Sequence, residues 1–242
     1  MFGERPTLTP MIEWTRNQSR TKESRVYSVS TRAMLAWVFL LFVTPASAHP
    51  HVFVDGGVDF RFADDGRLEA LEVTWLYDEF ETLYILSSNG MSLNEDGELS
   101  EVDRRRLVAI RSQWPEDFDG SAHLSVGGES IELEWPSGLD GALVDGRLQM
   151  TFTRELKAPI TVRGQDAKVA FYESTYFFAF SITQIPSLLG NFGDCQARVE
   201  YFEATKQDSA LQVALQRLSR EETPEIANVG ALFADKAILS CG

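Results

Sequence analysis

The segment HVFVDGGVDFRF, residues 51–62, is rich in valine and phenylalanine and alternates apolar with polar side chains. A period of two residues is typical of a β-strand that buries one face. The cluster Asp64-Asp65-Gly66 that follows is typical of a turn, and residues 68–77 alternate again. The pattern therefore predicts a β-hairpin over residues 51–77.

Residues 78–113 replace this alternation with helical spacing. Asp78 followed by Glu81 resembles a helix cap, and Ser100 begins a second helical pattern that ends before Pro115. The apolar side chains that the spacing places on the helix stripes are Phe80, Leu83, Tyr84, Leu86, Val102, Leu107 and Ile110. The sequence thus predicts a helix-loop-helix insertion after the hairpin.

From residue 122 onward, short alternating runs are separated by glycine-containing turns, as in antiparallel β-structure. The runs lie at 124–126, 131–135, 147–154, 160–163, 168–180 and 196–202. An amphipathic helix at 209–218 and a strand at 236–240 follow. We therefore expect an α+β fold: mostly antiparallel β-sheet or sandwich, with an EF-hand-like insertion and a C-terminal helix.

The first 48 residues resemble an export signal. Residues 34–43 form an uncharged apolar run, basic residues precede it, and the small residues Ala46-Ser47-Ala48 follow. The run is too short to span a bilayer. We expect cleavage after Ala48 and a single periplasmic domain over residues 49–242, with its helical insertion at about 78–113 and no membrane insertion after cleavage. A retained membrane anchor is the alternative.

The net charge of the 242-residue chain is −14, and removal of the basic leader leaves about −17. Such acidity argues against nucleic acid or anionic lipid as a partner. The chain lacks the Gly-x-Ser-x-Gly, His-Glu-x-x-His and Gly-x-x-x-x-Gly-Lys signatures and has three histidines, so we do not expect an enzyme of those types.

Cys195 and Cys241 are the two cysteines of the chain. An even count in an exported protein favours a disulfide, because the compartment is oxidising. Metal binding by the pair is the alternative, but the two residues lack the close spacing of thiolate metal sites. We therefore predict a Cys195–Cys241 bridge.

Cleavage after Ala48 would expose His49, with a free amine and an imidazole, and His51 follows two residues later. An α-amine has a reference pKa of about 7.7 to 8, so a metal can displace its proton. Pro50 has no amide N–H, which blocks a site built on deprotonated backbone amides. These nitrogen ligands suit Ni, Co, Zn or Cu. The alternative is a polar terminus that binds nothing.

Further ligands could complete this metal site. Glu173 lies among aromatic residues, where a charge is costly unless it is paired or metal-bound. Asp55 shares a strand face with His51, and Asp78 directly follows a strand, although helix capping also explains it. His123 is expected on the polar face of its strand. An edge strand or turn that lets Glu173 reach water is the competing interpretation.

Residues 92–103 have the spacing of a twelve-residue EF-hand loop, with Gly97 at the sharp turn. Ser92 replaces the usual aspartate, and Asp103 is shorter than the usual glutamate. Weak calcium binding by a degenerate loop is one interpretation, and a helix connector with a Ser100–Asp103 capping box is the other. The oxygen-bearing positions are Ser92, Asn94, Asp96, Glu98, Ser100 and Asp103.

These motifs together resemble a known family. They are the leader, the His49-Pro50-His51 start, the segments at 75–79 and 172–177, the EF-like loop, and the residues around 232–234 with Cys241. The chain is similar to uncharacterised bacterial proteins described as periplasmic components of an ABC-type transport system, in a nickel/cobalt exporter context. The resemblance implies a metal-transport setting and a membrane transporter subunit as partner.

The sequence leaves three classes of function open. The first is a periplasmic accessory protein that binds a divalent transition metal through His49, without catalysis. The second is a copper-dependent redox enzyme that uses the same terminal histidine. The third is a non-catalytic assembly partner in an envelope complex.

Overall fold

The hairpin predicted from the alternating segments forms β1 (Val52–Phe62) and β2 (Leu68–Tyr77), which pair antiparallel. The computed structural model describes residues 50–115, 118, 120–218 and 222–242. The predicted leader and His49 lie outside the described residues.

The first sheet is built around the hairpin. Its order is β5-β6-β2-β1-β8, and β9 pairs with β1 beyond the end of β8. Both β8 and β9 run parallel to β1, whereas the other pairings are antiparallel. The added strands are β5 (Ser137–Val144), β6 (Arg147–Ile160), β8 (Phe178–Ile182) and β9 (Leu188–Gly190).

The second sheet is antiparallel throughout, with the order β10-β11-β7-β3-β4. The buried Asp235 at the start of β11 ties it to the first sheet, because its carboxylate accepts hydrogen bonds from Ile182 N at 2.9 Å and Phe202 N at 2.8 Å. The strands are β3 (Ala122–Val126), β4 (Glu129–Ser130), β7 (Asp166–Phe171), β10 (Gln196–Glu200) and β11 (Asp235–Ser240).

One hydrophobic core serves both sheets. It includes Phe60 and Val73 from the first sheet and Val169 and Leu239 from the second. The sheets approach closely at Gly56, where a Cβ atom would lie 2.4 Å from a ring carbon of Phe171. The expected α+β fold with predominantly antiparallel sheets is confirmed.

Two helices lie between β2 and β3, as predicted: α1 (Glu79–Ser88) and α2 (Glu101–Arg111). A third, α3 (Lys206–Leu215), lies near the C-terminal end, and a short 3-10 helix spans Val229–Phe233. In the part of the chain that the structure describes, no helix has the length and apolar character needed to cross a bilayer.

The predicted inner stripes of α1 and α2 are wrong in part. Phe80 is 85% exposed and Val102 is 76% exposed, and Leu83 and Tyr84 also face outward. In α1 the buried side chains are Thr82, Ile85 and Leu86. The Thr82 hydroxyl accepts a hydrogen bond from Leu148 N at 2.9 Å, so a polar contact helps to dock α1 on β6.

The predicted run 168–180 is divided between two strands of different sheets. β7 ends at Phe171 and β8 begins at Phe178, with a turn between them in which Tyr176 adopts a left-handed conformation, φ 61°. β5 was not predicted, because Gly138 and Gly141 weaken its strand signal. The predicted run 147–154 belongs to the longer strand β6, which ends at residue 160, so the predicted run 160–163 is not a separate strand. The run 131–135 contains a single bridge, Leu133 to Leu156.

The predicted disulfide is present. Cys195 and Cys241 are bonded, with Cα atoms 4.0 Å apart. Cys195 directly precedes β10 and Cys241 directly follows β11, which are antiparallel neighbours. The bond therefore fastens these two strands together at one end, and it closes 46 residues of chain, which stabilises the fold by about 3–4 kcal/mol in the loop-entropy model.

Candidate functional site

His51 is fixed where the described part of the chain enters β1. Its backbone N–H donates to Phe177 O at 2.9 Å, and its ring lies against the Phe177 ring with centroids 4.7 Å apart. The side chain is half-buried. His49, the other predicted histidine ligand of the chain start, lies outside the described residues.

Glu173 lies in the turn between β7 and β8 and is half-buried. Its carboxylate accepts hydrogen bonds from Thr175 N at 2.8 Å and from Phe177 N at 2.9 Å, and from the Thr175 hydroxyl at 2.8 Å. Phe177 thus gives its N–H to Glu173 and its carbonyl to His51. The structure brings these two predicted ligands to one turn, but the carboxylate already organises that turn.

Asp55 and Asp78 also hold structural positions. The Asp55 carboxylate pairs with the Arg147 guanidinium at 2.8 Å. Asp78 caps α1, because its side chain accepts from Glu81 N at 2.8 Å and from Phe53 N at 3.1 Å. The hydrogen bonds of Asp78 are therefore those of a helix cap, as the second interpretation predicts.

His123 lies on β3 in the second sheet. Its ring stacks on Tyr172 with centroids 3.8 Å apart, and Nε2 lies 3.2 Å from Tyr172 O. Among the residues that the structure describes, no group of three or more histidine, cysteine, aspartate or glutamate side chains could hold a metal ion.

The EF-like loop is closed by its own hydrogen bonds. Asn94 Oδ1 accepts from Asp96 N at 3.0 Å and from Glu98 N at 2.8 Å, and Gly97 supplies the turn with φ 79°. Ser100 caps α2 by accepting from Asp103 N at 3.1 Å, and its hydroxyl donates to the Asp103 carboxylate. These hydrogen bonds are those of a loop that connects two helices, and calcium binding stays a prediction.

A cavity of about 420 Å³ lies beside the β7–β8 turn, and the sequence did not predict it. We call it the aromatic cleft, because its apolar wall includes the aromatic rings of Trp75, Trp114, Phe118, Phe178 and Phe180. Its polar lining comes from Tyr77, Arg111, Gln113, Ser121, Glu173 and Ser174. The sequence signal that could have revealed it is the concentration of aromatic residues at 75–77, 114–118 and 177–180.

Trp75 occupies the centre of the ring cluster and is 5% exposed. Its ring meets Phe152 edge to face at 5.1 Å and Phe118 at 5.9 Å, and Trp114 stacks on Phe118 at 4.3 Å. Within the described residues, no oxygen or nitrogen accepts a hydrogen bond from the buried Trp75 Nε1–H.

Arg111, at the end of α2, brings a positive charge to the cleft. Its Nη2 donates to the Tyr77 hydroxyl at 2.9 Å, and the guanidinium lies 5.6 Å from the Tyr77 ring centroid. Burial raises the pKa of Tyr77, against the opposing effect of the nearby Arg111 charge, so the phenol is neutral at pH 7. In the described part of the chain, no carboxylate lies within ion-pair distance of Arg111.

A protein family described as "Protein of unknown function (DUF1007)" matches residues 34–241. The chain belongs to this family. The match begins at the predicted signal core, so it includes the His49-Pro50-His51 start as well as both sheets. None of the curated proteins matches the chain. The expected membership of an uncharacterised family is confirmed, whereas the transport association stays a proposal.

Proposed function

We propose that this protein is an exported, non-enzymatic metal-binding protein that takes up a divalent transition metal through the mature N-terminal His49. It would deliver the ion to, or receive it from, a membrane transporter subunit. The observation that carries the proposal is the order of the sequence: a small-residue cleavage signal, then His49-Pro50-His51, then a strand. The position of His51 supports it, because its backbone N–H is bound to Phe177 O.

The donor set favours nitrogen-seeking metals. His49 offers an amine and an imidazole, and His51 offers a second imidazole. The carboxylates of the neighbouring residues already have partners. Asp55 pairs with Arg147, Asp78 accepts a hydrogen bond from the first turn of α1, and Glu173 accepts hydrogen bonds from its own turn. Amine and imidazole ligands suit Ni, Co, Zn or Cu, whereas calcium and magnesium prefer oxygen.

The decisive experiment compares two forms of the protein, one that begins at His49 and one with a single alanine added before it. Calorimetric titration with Ni, Co, Zn and Cu salts measures affinity. The extension removes the amine from its chelate with the His49 imidazole, so we expect at least about tenfold weaker binding, roughly 1.4 kcal/mol. Equal affinity in the two forms would reject participation of the amine.

Two histidine variants locate the site. His49→Ala is expected to weaken binding more than His123→Ala, because the ring nitrogen of His123 already contacts Tyr172 O in the second sheet. The metal affinity of His51→Ala should be closer to that of His49→Ala than to that of His123→Ala. The opposite ranking would overturn the assignment. Copper-dependent turnover of an added reductant would favour the redox alternative instead.

The outer face of α1 supports a protein partner. Phe80, Leu83 and Tyr84 are exposed there, and Phe53 is exposed on the neighbouring strand. Asp78 N donates to Phe53 O at 3.1 Å, which joins this apolar surface to the beginning of β1. A transporter subunit that docked on the α1 face would lie beside the chain start, and the exposed Glu79 favours a basic rim on that partner.

A further inference from the structure

The aromatic cleft has the properties of a small-molecule site. Its volume of about 420 Å³ lies within the range of ligand pockets, roughly 300–1,000 Å³. Aromatic rings form most of its apolar wall, and a small number of polar groups reach it from α2, β2 and the β7–β8 turn. Such a combination binds flat apolar groups through the rings and fixes their orientation through the polar contacts.

Arg111 gives the cleft its charge preference. A guanidinium has five N–H donors, and a neutral phenol accepts one of them here. By contrast, Arg104 and Arg105 on the same helix pair with Glu101. In an acidic protein, a half-buried arginine whose described neighbours supply no carboxylate retains donors for an anion.

Glu173 does not reverse this preference. Its carboxylate is on the cleft wall, but two backbone N–H groups and the Thr175 hydroxyl bind its oxygens. The remaining polar residues of the lining, Gln113, Ser121 and Ser174, are neutral. Among the lining residues that the structure describes, Arg111 is therefore the charged group with hydrogen-bonding capacity to spare.

The Trp75 indole contributes its ring to the wall of the cleft. It lines the cleft, and within the described residues its buried N–H has no oxygen or nitrogen acceptor. Because that nitrogen is closed off from solvent by its neighbours, Trp75 acts in the cleft through its ring and not through a hydrogen bond. The aromatic rings and the Arg111 guanidinium together define the class of ligand that fits.

We propose that the aromatic cleft binds a small planar aromatic molecule that carries a carboxylate. The ring system contacts Trp114 and Phe178, and the carboxylate accepts hydrogen bonds from Arg111. The proposal is independent of metal binding at the chain start.

Three probes of similar shape and different charge test it: 2-naphthoate, 2-naphthamide and 2-naphthylmethylammonium. Each is titrated calorimetrically into the purified protein with a metal chelator present, so that the outcome does not depend on the proposed metal site. We expect saturable binding of naphthoate, at least about tenfold weaker binding of the amide, and the weakest binding for the cation. No saturable binding of naphthoate, or preference for the cation, would overturn the proposal.

Arg111→Gln separates charge recognition from the fold. We expect it to weaken naphthoate binding about tenfold and to change amide binding less than twofold. Arg105→Gln is the matched control on the same helix, since Arg105 is exposed, pairs with Glu101 and is not part of the lining. If the two variants bound naphthoate equally well, Arg111 would not be the anion-binding residue.

Trp114→Ala tests the ring contacts, and it should weaken binding of naphthoate and the amide together. Circular dichroism of each variant checks that the fold persists. Unchanged affinity of a folded Trp114→Ala variant for both probes would place the ligand outside the cleft and contradict the proposal.

Discussion

His51, where the described chain enters β1, and the aromatic cleft both contact the β7–β8 turn, yet the polar groups of the two regions are used in opposite ways. The carboxylates of the first region are Asp55, Asp78 and Glu173, and each is bound within the fold. In the cleft, Arg111 and Trp75 retain donors that no described residue accepts. The two regions therefore differ in how much of their hydrogen-bonding capacity is used within the fold.

Among the substitutions that test this comparison, Glu173→Ala should have the largest effect on the free energy of unfolding. Glu173→Ala removes the acceptor for two backbone N–H groups and two hydroxyls, so we expect the free energy of unfolding to fall by about 2–4 kcal/mol. Arg111→Gln should cost about 1 kcal/mol or less, since it removes one hydrogen bond. Urea unfolding measures both, and equal losses would contradict the comparison.

Asp55→Asn should have the next largest effect. It removes the charge that pairs with Arg147, while Arg147 keeps its hydrogen bonds to the carbonyls of Tyr77 and Leu76. We expect a loss of about 1–2 kcal/mol in urea unfolding, because the pair is partly buried. A variant that kept its stability but lost metal affinity would identify Asp55 as a ligand instead.

Asp78→Ala removes the cap of α1 and should cost about 1 kcal/mol. Asp78→Ser keeps an oxygen that can accept from Glu81 N, so it should recover most of that loss. Thermal unfolding of the two variants provides the measurement. If serine restored nothing, the capping role would be wrong.

The smallest effect is expected at the exposed Glu101, whose carboxylate binds Arg104 and Arg105. Hydrogen bonds from these two side chains lower the pKa of Glu101 to about 2. Its contribution is therefore fully present above the ordinary value of 4.5 and is lost as the pH falls toward about 2.

Glu101→Gln removes this dependence. Because solvent screens the exposed pairs, the melting temperature at pH 7 should fall by only about 1 °C, and the difference from the parent protein should shrink toward pH 2. A difference that grew with acidity would contradict the assigned sign.

Local patterns predicted the elements whose signals are strong. The hairpin over residues 51–77, the caps at Asp78 and Ser100, and the disulfide follow from alternation, capping chemistry and cysteine count. The sequence does not predict β5, because its glycines are typical of a turn and only pairing with β6 makes it a strand. The exposed Phe80 shows that an apolar residue at helical spacing need not face the core.

The candidate sites are harder to predict from the sequence than the fold. A charge among aromatic residues singles out Glu173 in the sequence, but no local pattern indicates that Thr175 and Phe177 satisfy its hydrogen bonds. The aromatic cleft assembles residues from β2, β8 and the region after α2, which are far apart in the chain. Only the tertiary arrangement brings Arg111 to Tyr77, so no local pattern could have indicated that pair.

The position of β11 has a consequence for how the molecule is made. Residues 235–240 form an interior strand of the second sheet, between β10 and β7, and Asp235 also binds the backbone of β8. That sheet therefore cannot be completed until β11 has entered between β10 and β7. Because long-range pairing is slow, we expect the completion of this sheet to be among the late steps of folding.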